Sequence, residues 1–164
     1  QMHTVFKIDR PTGDILWELG EDRDFAVVGG HPDPWFKFAH APEILPNGHL
    51  LLYDNGGGSE RSYTRVMEYV IDESAMTVEP LWEYPGDDVE DEWYTVAWGD
   101  ADRLANGNTL INAGSLVDWD SDSRIFEVTP DGQKVWELWL AGNEDGTGAG
   151  AYMAQRIPVL VGEL

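Results

Sequence analysis

The chain has 164 residues, 42% hydrophobic and 12% aromatic, which is enough apolar material for a domain core and argues against a disordered segment. Ten Lys and Arg residues against 31 Asp and Glu residues give a formal net charge of -21, which argues against binding to nucleic acid or to an anionic membrane. With no cysteine in the sequence, disulfides, a thiolate nucleophile and cysteine-ligated metals are excluded.

The first predicted elements are two antiparallel strands, residues 4–9 (TVFKID) and 15–19 (ILWEL), around a turn that contains Pro11 and Gly13. No signal peptide and no apolar run of membrane-spanning length is evident. Because the chain runs directly into a strand pattern, we expect it to be a piece of a longer protein. Residues 20–34 are polar and rich in glycine, and we expect a loop there.

Residues 35–55 carry two further strands, joined at Asn47-Gly48, a dipeptide typical of the type I′ hairpin turn. His40 lies at the start of the first strand. Asp54-Asn55-Gly56 ends the second strand, where we expect a turn. The framework returns over residues 98–114, with Asp100 or Ala101 where the histidine stood.

The remaining predicted strands are residues 65–72, 78–84, 93–104, 109–113, 123–129, 134–140 and 151–157. Pro80 lies within one of them, which favours an edge position because proline cannot donate to a strand ladder.

A Trp-Glu pair closes each unit, at Trp17, Trp82 and Trp136, and we expect these tryptophans in the core. Repeated units of two hairpins are typical of propeller blades. We therefore predict an all-β fold, a β-propeller fragment in one partial domain over residues 1–164. It would contain two complete four-stranded blades (35–84 and 93–140) and partial blades at both ends (1–19 and 151–164), and its missing partner would be the N-terminal half of the same propeller.

Several segments in the same order resemble the C-terminal half of bacterial-type arylsulfate sulfotransferases. They are VFKIDRPTGDILWELG, FAHAPEILPNGHLLLYDNG, SYTRVMEYVID, RLANGNTLINAG and AYMAQRIP. The resemblance implies a six-bladed β-propeller that transfers a sulfuryl group from an aryl sulfate donor to a phenolic acceptor through a sulfohistidine, with no cofactor. It also implies a periplasmic or secreted protein.

By this resemblance His40 is the catalytic nucleophile, although Ala39 stands where the family commonly has glutamine. A neutral imidazole is nucleophilic near pH 7, which suits such a transfer. Further parts of the family's site, a His-x-Asn pair and an arginine, would precede Gln1, so we expect little turnover from the isolated chain.

Arg65 matches a family Arg-x-x-Glu-Tyr stretch and is our candidate for substrate binding, because a planar guanidinium suits an oxyanion; a simple ion pair is the alternative. The same two interpretations apply to Arg103 and Arg156. We expect His31 and His49 to be exposed.

No metal site is predicted. Asp118, Asp120 and Asp122 imitate the start of a calcium loop but lack the glycine and glutamate that should follow. The alternative to an enzyme is a non-catalytic propeller that serves as a binding or assembly module, since a fold does not determine activity.

Overall fold

The computed structural model describes residues 3–57, 61–85, 93–116, 122–142 and 148–157. Over these residues the fold is all-β, as predicted, and contains no helix that could span a membrane. In chain order the strands are β1 (Val5–Ile8), β2 (Ile15–Leu19), β3 (Ala26–Val27), β4 (Ala39–Ile44), β5 (Leu50–Asp54), β6 (Arg65–Asp72), β7 (Thr77–Tyr84), β8 (Asp100–Arg103), β9 (Thr109–Ala113), β10 (Ser123–Val128) and β11 (Lys134–Leu140).

The strands form three sheets in which neighbours along the chain are mostly neighbours in space. β1 pairs with β2, the largest sheet has the order β3-β7-β6-β5-β4, and the last has the order β11-β10-β9-β8. In the two larger sheets, four consecutive strands follow one another as an antiparallel meander. This arrangement is consistent with the predicted propeller-like fragment.

The largest sheet lies between two cores, and β5 supplies both. Leu51 and Tyr53 belong to a cluster shared with the last sheet, whereas Leu50 and Leu52 belong to a cluster shared with β2. All four side chains are almost completely buried. Because alternate residues of a strand face opposite sides, a strand covered on both faces needs the continuous apolar run seen here.

The predicted loop over residues 20–34 contains a strand, which corrects that expectation. Ala26 and Val27 of β3 pair in parallel with Thr77 and Val78 of β7. β7 is therefore not the outermost strand of its sheet. Pro80 itself lies beyond Thr77 and Val78, the two residues that pair with β3, so β3 does not cover this part of β7. Pro80 faces Tyr69 of β6 next to an irregularity in their register.

Two other predicted strands differ from the structure. Of residues 93–104 only Asp100–Arg103 form a strand, because Trp98 and Gly99 have positive φ angles of 64° and 121° that interrupt an extended backbone. Residues 151–157 form no strand. They pass beside the last sheet, where the Ala151 amide donates to Gly114 O at 3.1 Å, and no described strand lies on their other side to complete a ladder.

The three Trp-Glu tryptophans are not equally buried. Trp17 is 7% exposed and Trp82 packs partly buried against the core, but Trp136 is 44% exposed. Trp136 lies on β11, the outermost strand of its sheet, and Val135, Leu138 and Trp139 on the same strand are also exposed. The prediction of a core position is thus wrong for Trp136.

Candidate functional site

The backbone around His40 contains a β-bulge. His40 pairs with Tyr53 and Glu43 pairs with Leu51, so three steps along β4 oppose two steps along β5. Ala41, directly after His40, has a φ of 48°. A bulge re-aims the side chains beside it, and left-handed non-glycine residues are costly conformations that concentrate at functional sites.

The second copy of the framework has no bulge, which makes the two copies comparable residue by residue. Tyr53 is six residues after Asn47 (53 - 47 = 6), and Asn112 is six residues after Asn106 (112 - 106 = 6). Tyr53 pairs with His40, and Asn112 pairs with Asp100. Asp100, rather than Ala101, therefore occupies the place of the histidine.

One nitrogen of the His40 ring is held by two oxygens. Nδ1 lies 2.6 Å from Oδ1 of Asn55 and 3.1 Å from the carbonyl oxygen of Phe38. The side chain is partly buried. These contacts fix the direction of the ring while Nε2, on its other side, has no hydrogen bond among the described residues.

Asn55 connects His40 to the segment that leads into the last sheet. It is 1% exposed. Its Nδ2 donates to the carbonyl oxygen of Thr95 at 3.0 Å, to Thr95 Oγ1 at 2.9 Å and to the carbonyl oxygen of Trp98 at 2.9 Å. Thr95 Oγ1 also bonds to the Tyr53 hydroxyl at 2.9 Å. Asn55 was expected only to turn the chain, so the sequence missed it as a site residue.

Asp54, next to Asn55, anchors the segment in front of His40. It is fully buried, and its Oδ1 accepts from the backbone amide of Lys37 at 2.8 Å. Gly56 completes the motif, because its amide donates to Lys37 O at 3.1 Å. Its φ is 93°, and a Cβ at this position would lie 2.3 Å from the Tyr63 carbonyl oxygen. The motif therefore supports the site through all three of its residues.

Arg65 is buried beneath this motif, with 1% of its side chain exposed. Its Nε donates to Asp54 Oδ2 at 3.0 Å, and one terminal nitrogen lies 3.0 Å from Glu83 Oε2. The other donates to the carbonyl oxygens of Asp33 at 2.8 Å and Trp35 at 3.1 Å. A substrate would have to replace one of these acceptors. Binding of substrate by Arg65 stays a prediction, whereas its support of Asp54 is observed.

Two of the remaining histidines are less exposed than predicted. His31 has 20% and His49 has 23% of its side chain exposed, and they face Glu83 at 3.5 Å and Glu68 at 2.7 Å, respectively. His3 contacts the segment in front of His40, because its Nδ1 accepts a hydrogen bond of 3.0 Å from the Phe38 amide.

Arg103 and Arg156 both form ion pairs in the structure, and substrate binding by either stays a prediction. Arg103 lies 2.6 Å from Glu68, and Arg156 lies 2.7 Å from Glu127. Glu68 and Glu127 belong to the third strands, β6 and β10, of successive meanders. Each pair thus connects one meander to the segment that follows it.

The described residues contain no group of three or more His, Asp or Glu side chains that could hold a metal ion. Asp118 and Asp120 lie outside the described residues.

Glu43, Asp102, Arg103 and Arg156 help to line a cavity of about 490 Å³ at the ends of β4 and β8. Burial, together with the charge of Asp102, raises the pKa of Asp100 to about 6.

Comparison with known proteins places these features in a family. A family model described as arylsulfotransferase (ASST) matches residues 1–145. The chain is also 30% identical over 86 residues to the arylsulfate sulfotransferase AssT of Escherichia coli O6:H1. That match covers 48% of this chain and 14% of the relative, so the chain spans only a small part of the relative's length.

Proposed function

The chain belongs to the arylsulfotransferase family, and from this premise we propose that it serves the transfer of a sulfuryl group from an aryl sulfate to a phenolic acceptor, with His40 carrying the group in between. The bulge at His40 carries this proposal. It is present in the copy of the framework that has a histidine and absent from the copy that has Asp100.

In the first step, an unprotonated nitrogen of His40 attacks sulfur, and the bond between sulfur and the aryl oxygen breaks. The aryl oxygen keeps the electron pair and leaves as a phenolate. In the second step, the acceptor oxygen attacks sulfur, and the electron pair of the nitrogen–sulfur bond returns to the ring. The acceptor releases one proton and the phenolate takes up one proton, so the overall transfer neither consumes nor produces protons. Covalent catalysis of this kind replaces one difficult displacement by two easier ones and gives ping-pong kinetics.

The proposal includes a larger ring around this chain. Trp136 and Leu138, which are two residues apart on one face of β11, are both exposed. They are suited to packing against another blade, because exposed apolar surface of this kind typically marks an interface. We propose a six-bladed parent whose other blades supply groups that bind the sulfuryl oxygens and the departing phenolate. Export to the periplasm or the medium belongs to the proposal too and is supported by the family resemblance.

The test is mass spectrometry of the full-length protein after exposure to 4-nitrophenyl sulfate. We expect one sulfuryl group on the peptide that contains His40, lost on addition of phenol and absent from His40→Ala. His49→Ala is the matched control, because His49 lies at the far end of the same β4–β5 hairpin, and it should retain the label and the transfer.

Normal transfer by His40→Ala would contradict the assignment of the nucleophile. A wild-type protein that neither takes up the label nor transfers the group would instead favour the non-catalytic propeller module.

A further inference from the structure

The orientation of the Asn55 carboxamide is determined by its neighbours. The nitrogen and oxygen ends of a carboxamide have the same shape, so only hydrogen-bond partners distinguish them. One end lies 3.0 Å from the carbonyl oxygen of Thr95 and 2.9 Å from that of Trp98. Carbonyl oxygens only accept hydrogen bonds, so this end must be the NH₂ group, and Oδ1 must face His40.

This orientation determines the position of the proton on the His40 ring. Nδ1 lies 2.6 Å from Asn55 Oδ1 and 3.1 Å from Phe38 O, and both oxygens only accept. An unprotonated Nδ1 would direct its lone pair at two other lone pairs, whereas a protonated Nδ1 donates to them. In a neutral imidazole with the proton on Nδ1, the free lone pair is on Nε2.

We propose that Asn55 is a positioning residue that holds His40 in the Nδ1–H tautomer and so makes Nε2 the nitrogen that attacks sulfur. This inference rests on the proposed sulfuryl transfer. When Nε2 forms its bond to sulfur, the ring gains positive charge, and the oxygens of Asn55 and Phe38 accept from the Nδ1–H group that shares this charge. Fixed dipoles directed at developing charge lower the barrier without reorganisation during the reaction.

The surroundings of Asn55 favour an amide over a carboxylate at this position. An aspartate could accept from His40, but it could not donate to the two carbonyl oxygens of Thr95 and Trp98 and would leave lone pairs facing each other. The Thr95 hydroxyl also bonds to Tyr53 at 2.9 Å and to Thr64 at 3.2 Å, and all three side chains are fully buried. The segment before β8 thus fixes the Asn55 side chain, which in turn orients His40 of β4.

The direct test is nuclear magnetic resonance of the full-length protein labelled with ¹⁵N-histidine, recorded at alkaline pH. Spectra that correlate the ring carbons' protons with both nitrogens identify the tautomer, and His40→Ala assigns the signals. We expect Nδ1 to be protonated and Nε2 to be unprotonated. A His40 ring with the proton on Nε2, or a mixture of the two tautomers, would overturn the inference even if sulfuryl transfer is intact.

The kinetic test compares Asn55→Ala with Asn112→Ala. Both residues are 1% exposed, and Asn112 also donates from Nδ2 to a carbonyl oxygen, that of Ala151, at 2.8 Å. Loss of a hydrogen bond to a developing charge lowers a rate about 10- to 100-fold. For Asn55→Ala we expect the rate of the 4-nitrophenolate burst to fall by this factor, with little change in the KM for the donor. We also expect its His40 ring to be a mixture of the two tautomers.

In Asn112→Ala the burst rate and the tautomer should stay as in wild type. An unchanged burst rate in Asn55→Ala would overturn the positioning role of Asn55, and an equal loss in Asn112→Ala would show that Asn55 acts only through stability. If Asn55→Ala does not fold, the tautomer of the wild-type protein still decides the question. Failure of the proposed function has a different signature, namely transfer that persists in His40→Ala.

Discussion

At the residue scale, the two copies of the framework differ at the position of His40. Asp100, which takes this position in the second copy, is 5% exposed. Its Oδ1 accepts from the Ala101 amide at 3.0 Å, but its Oδ2 is buried and has no hydrogen-bond partner in the part of the chain that the structure describes. A carboxylate in this position is costly, because burial disfavours the charged form and Asp102 repels it.

The raised pKa of Asp100 predicts a stability that depends on pH. Its pKa is about 6 in the folded protein, against an ordinary value of 3.8, so the folded state binds more protons than the unfolded state between these values. Stability attributable to Asp100 is therefore greatest below about pH 4 and is lost as the pH rises through 6. An asparagine in place of Asp100 would mimic the protonated acid at every pH.

We expect Asp100→Asn to leave the free energy of unfolding nearly unchanged at pH 4 and to raise it by about 1–3 kcal/mol at pH 7.5, measured by urea denaturation. Asp14→Asn, at an exposed turn, is the control and should change it by less than about 0.5 kcal/mol at either pH. An equal effect of Asp100→Asn at both pH values would show that a raised pKa is not the cause.

The site residues also show what sequence can predict at this scale. His40 was predicted as the nucleophile because it stands at a recognisable place in a family motif before an Asn-Gly hairpin, and its catalytic role stays a prediction. Asn55 was missed because its partners, Thr95 and Trp98, are 40 and 43 residues away. The local pattern Asp-Asn-Gly predicts a turn equally well whether its side chains face solvent or a buried network. Only the contact between sheets distinguishes the two.

At the element scale, an ion pair joins each meander to the segment that follows it, and the two pairs differ in burial. Glu68 on β6 meets Arg103, and their side chains are 8% and 19% exposed. Glu127 on β10 meets Arg156, which is 47% exposed. Arg103 also lies over the Trp82 ring, 4.9 Å from its centroid. At this position of the repeat, the contact of Arg103 is therefore well packed, whereas the contact of Arg156 is solvated.

We expect Arg103→Ala to lower the free energy of unfolding by about 1–3 kcal/mol, because it leaves Glu68 with less compensation in a buried place and uncovers Trp82. Arg156→Ala should cost less than about 1 kcal/mol, since water screens an exposed pair and two asparagine side chains, those of Asn106 and Asn108, still donate to Glu127. Urea denaturation of both variants measures the difference. Equal losses would indicate that burial does not determine the strength of this contact.

Strands were predictable where a local turn joins them, and less so elsewhere. The hairpins at Asn47-Gly48 and Asn106-Gly107 were predicted from dipeptides that accept a left-handed backbone, but the predicted type I′ geometry is wrong, because only Gly48 and Gly107 have positive φ angles, 87° and 89°. The two-residue strand β3 has no such signal, because its pairing with β7 depends on a segment about fifty residues away. Residues 151–157 have the right composition for a strand, but composition does not supply the second neighbour that a ladder needs.

At the scale of the whole molecule, the charge of -21 opposes the approach of an anionic donor. Under the proposed function, an aryl sulfate must reach His40 through this unfavourable field, whereas an uncharged phenol does not feel it. Salt shortens the range of the field from about 10 Å at 0.1 M to about 3 Å at 1 M. Ping-pong kinetics separate the two encounters, because kcat/KM for each substrate reports only its own half-reaction.

We therefore expect kcat/KM for 4-nitrophenyl sulfate to rise about 2- to 10-fold as NaCl increases from about 0.05 M to about 0.5 M. The value for the phenolic acceptor, measured in the same assays, serves as the control and should change much less, because the charge of the protein does not steer a neutral molecule. A fall in the donor's kcat/KM with salt would mean that cationic groups near His40 outweigh the acidic surface. The donor would then be attracted by local charge contributed from the rest of the ring.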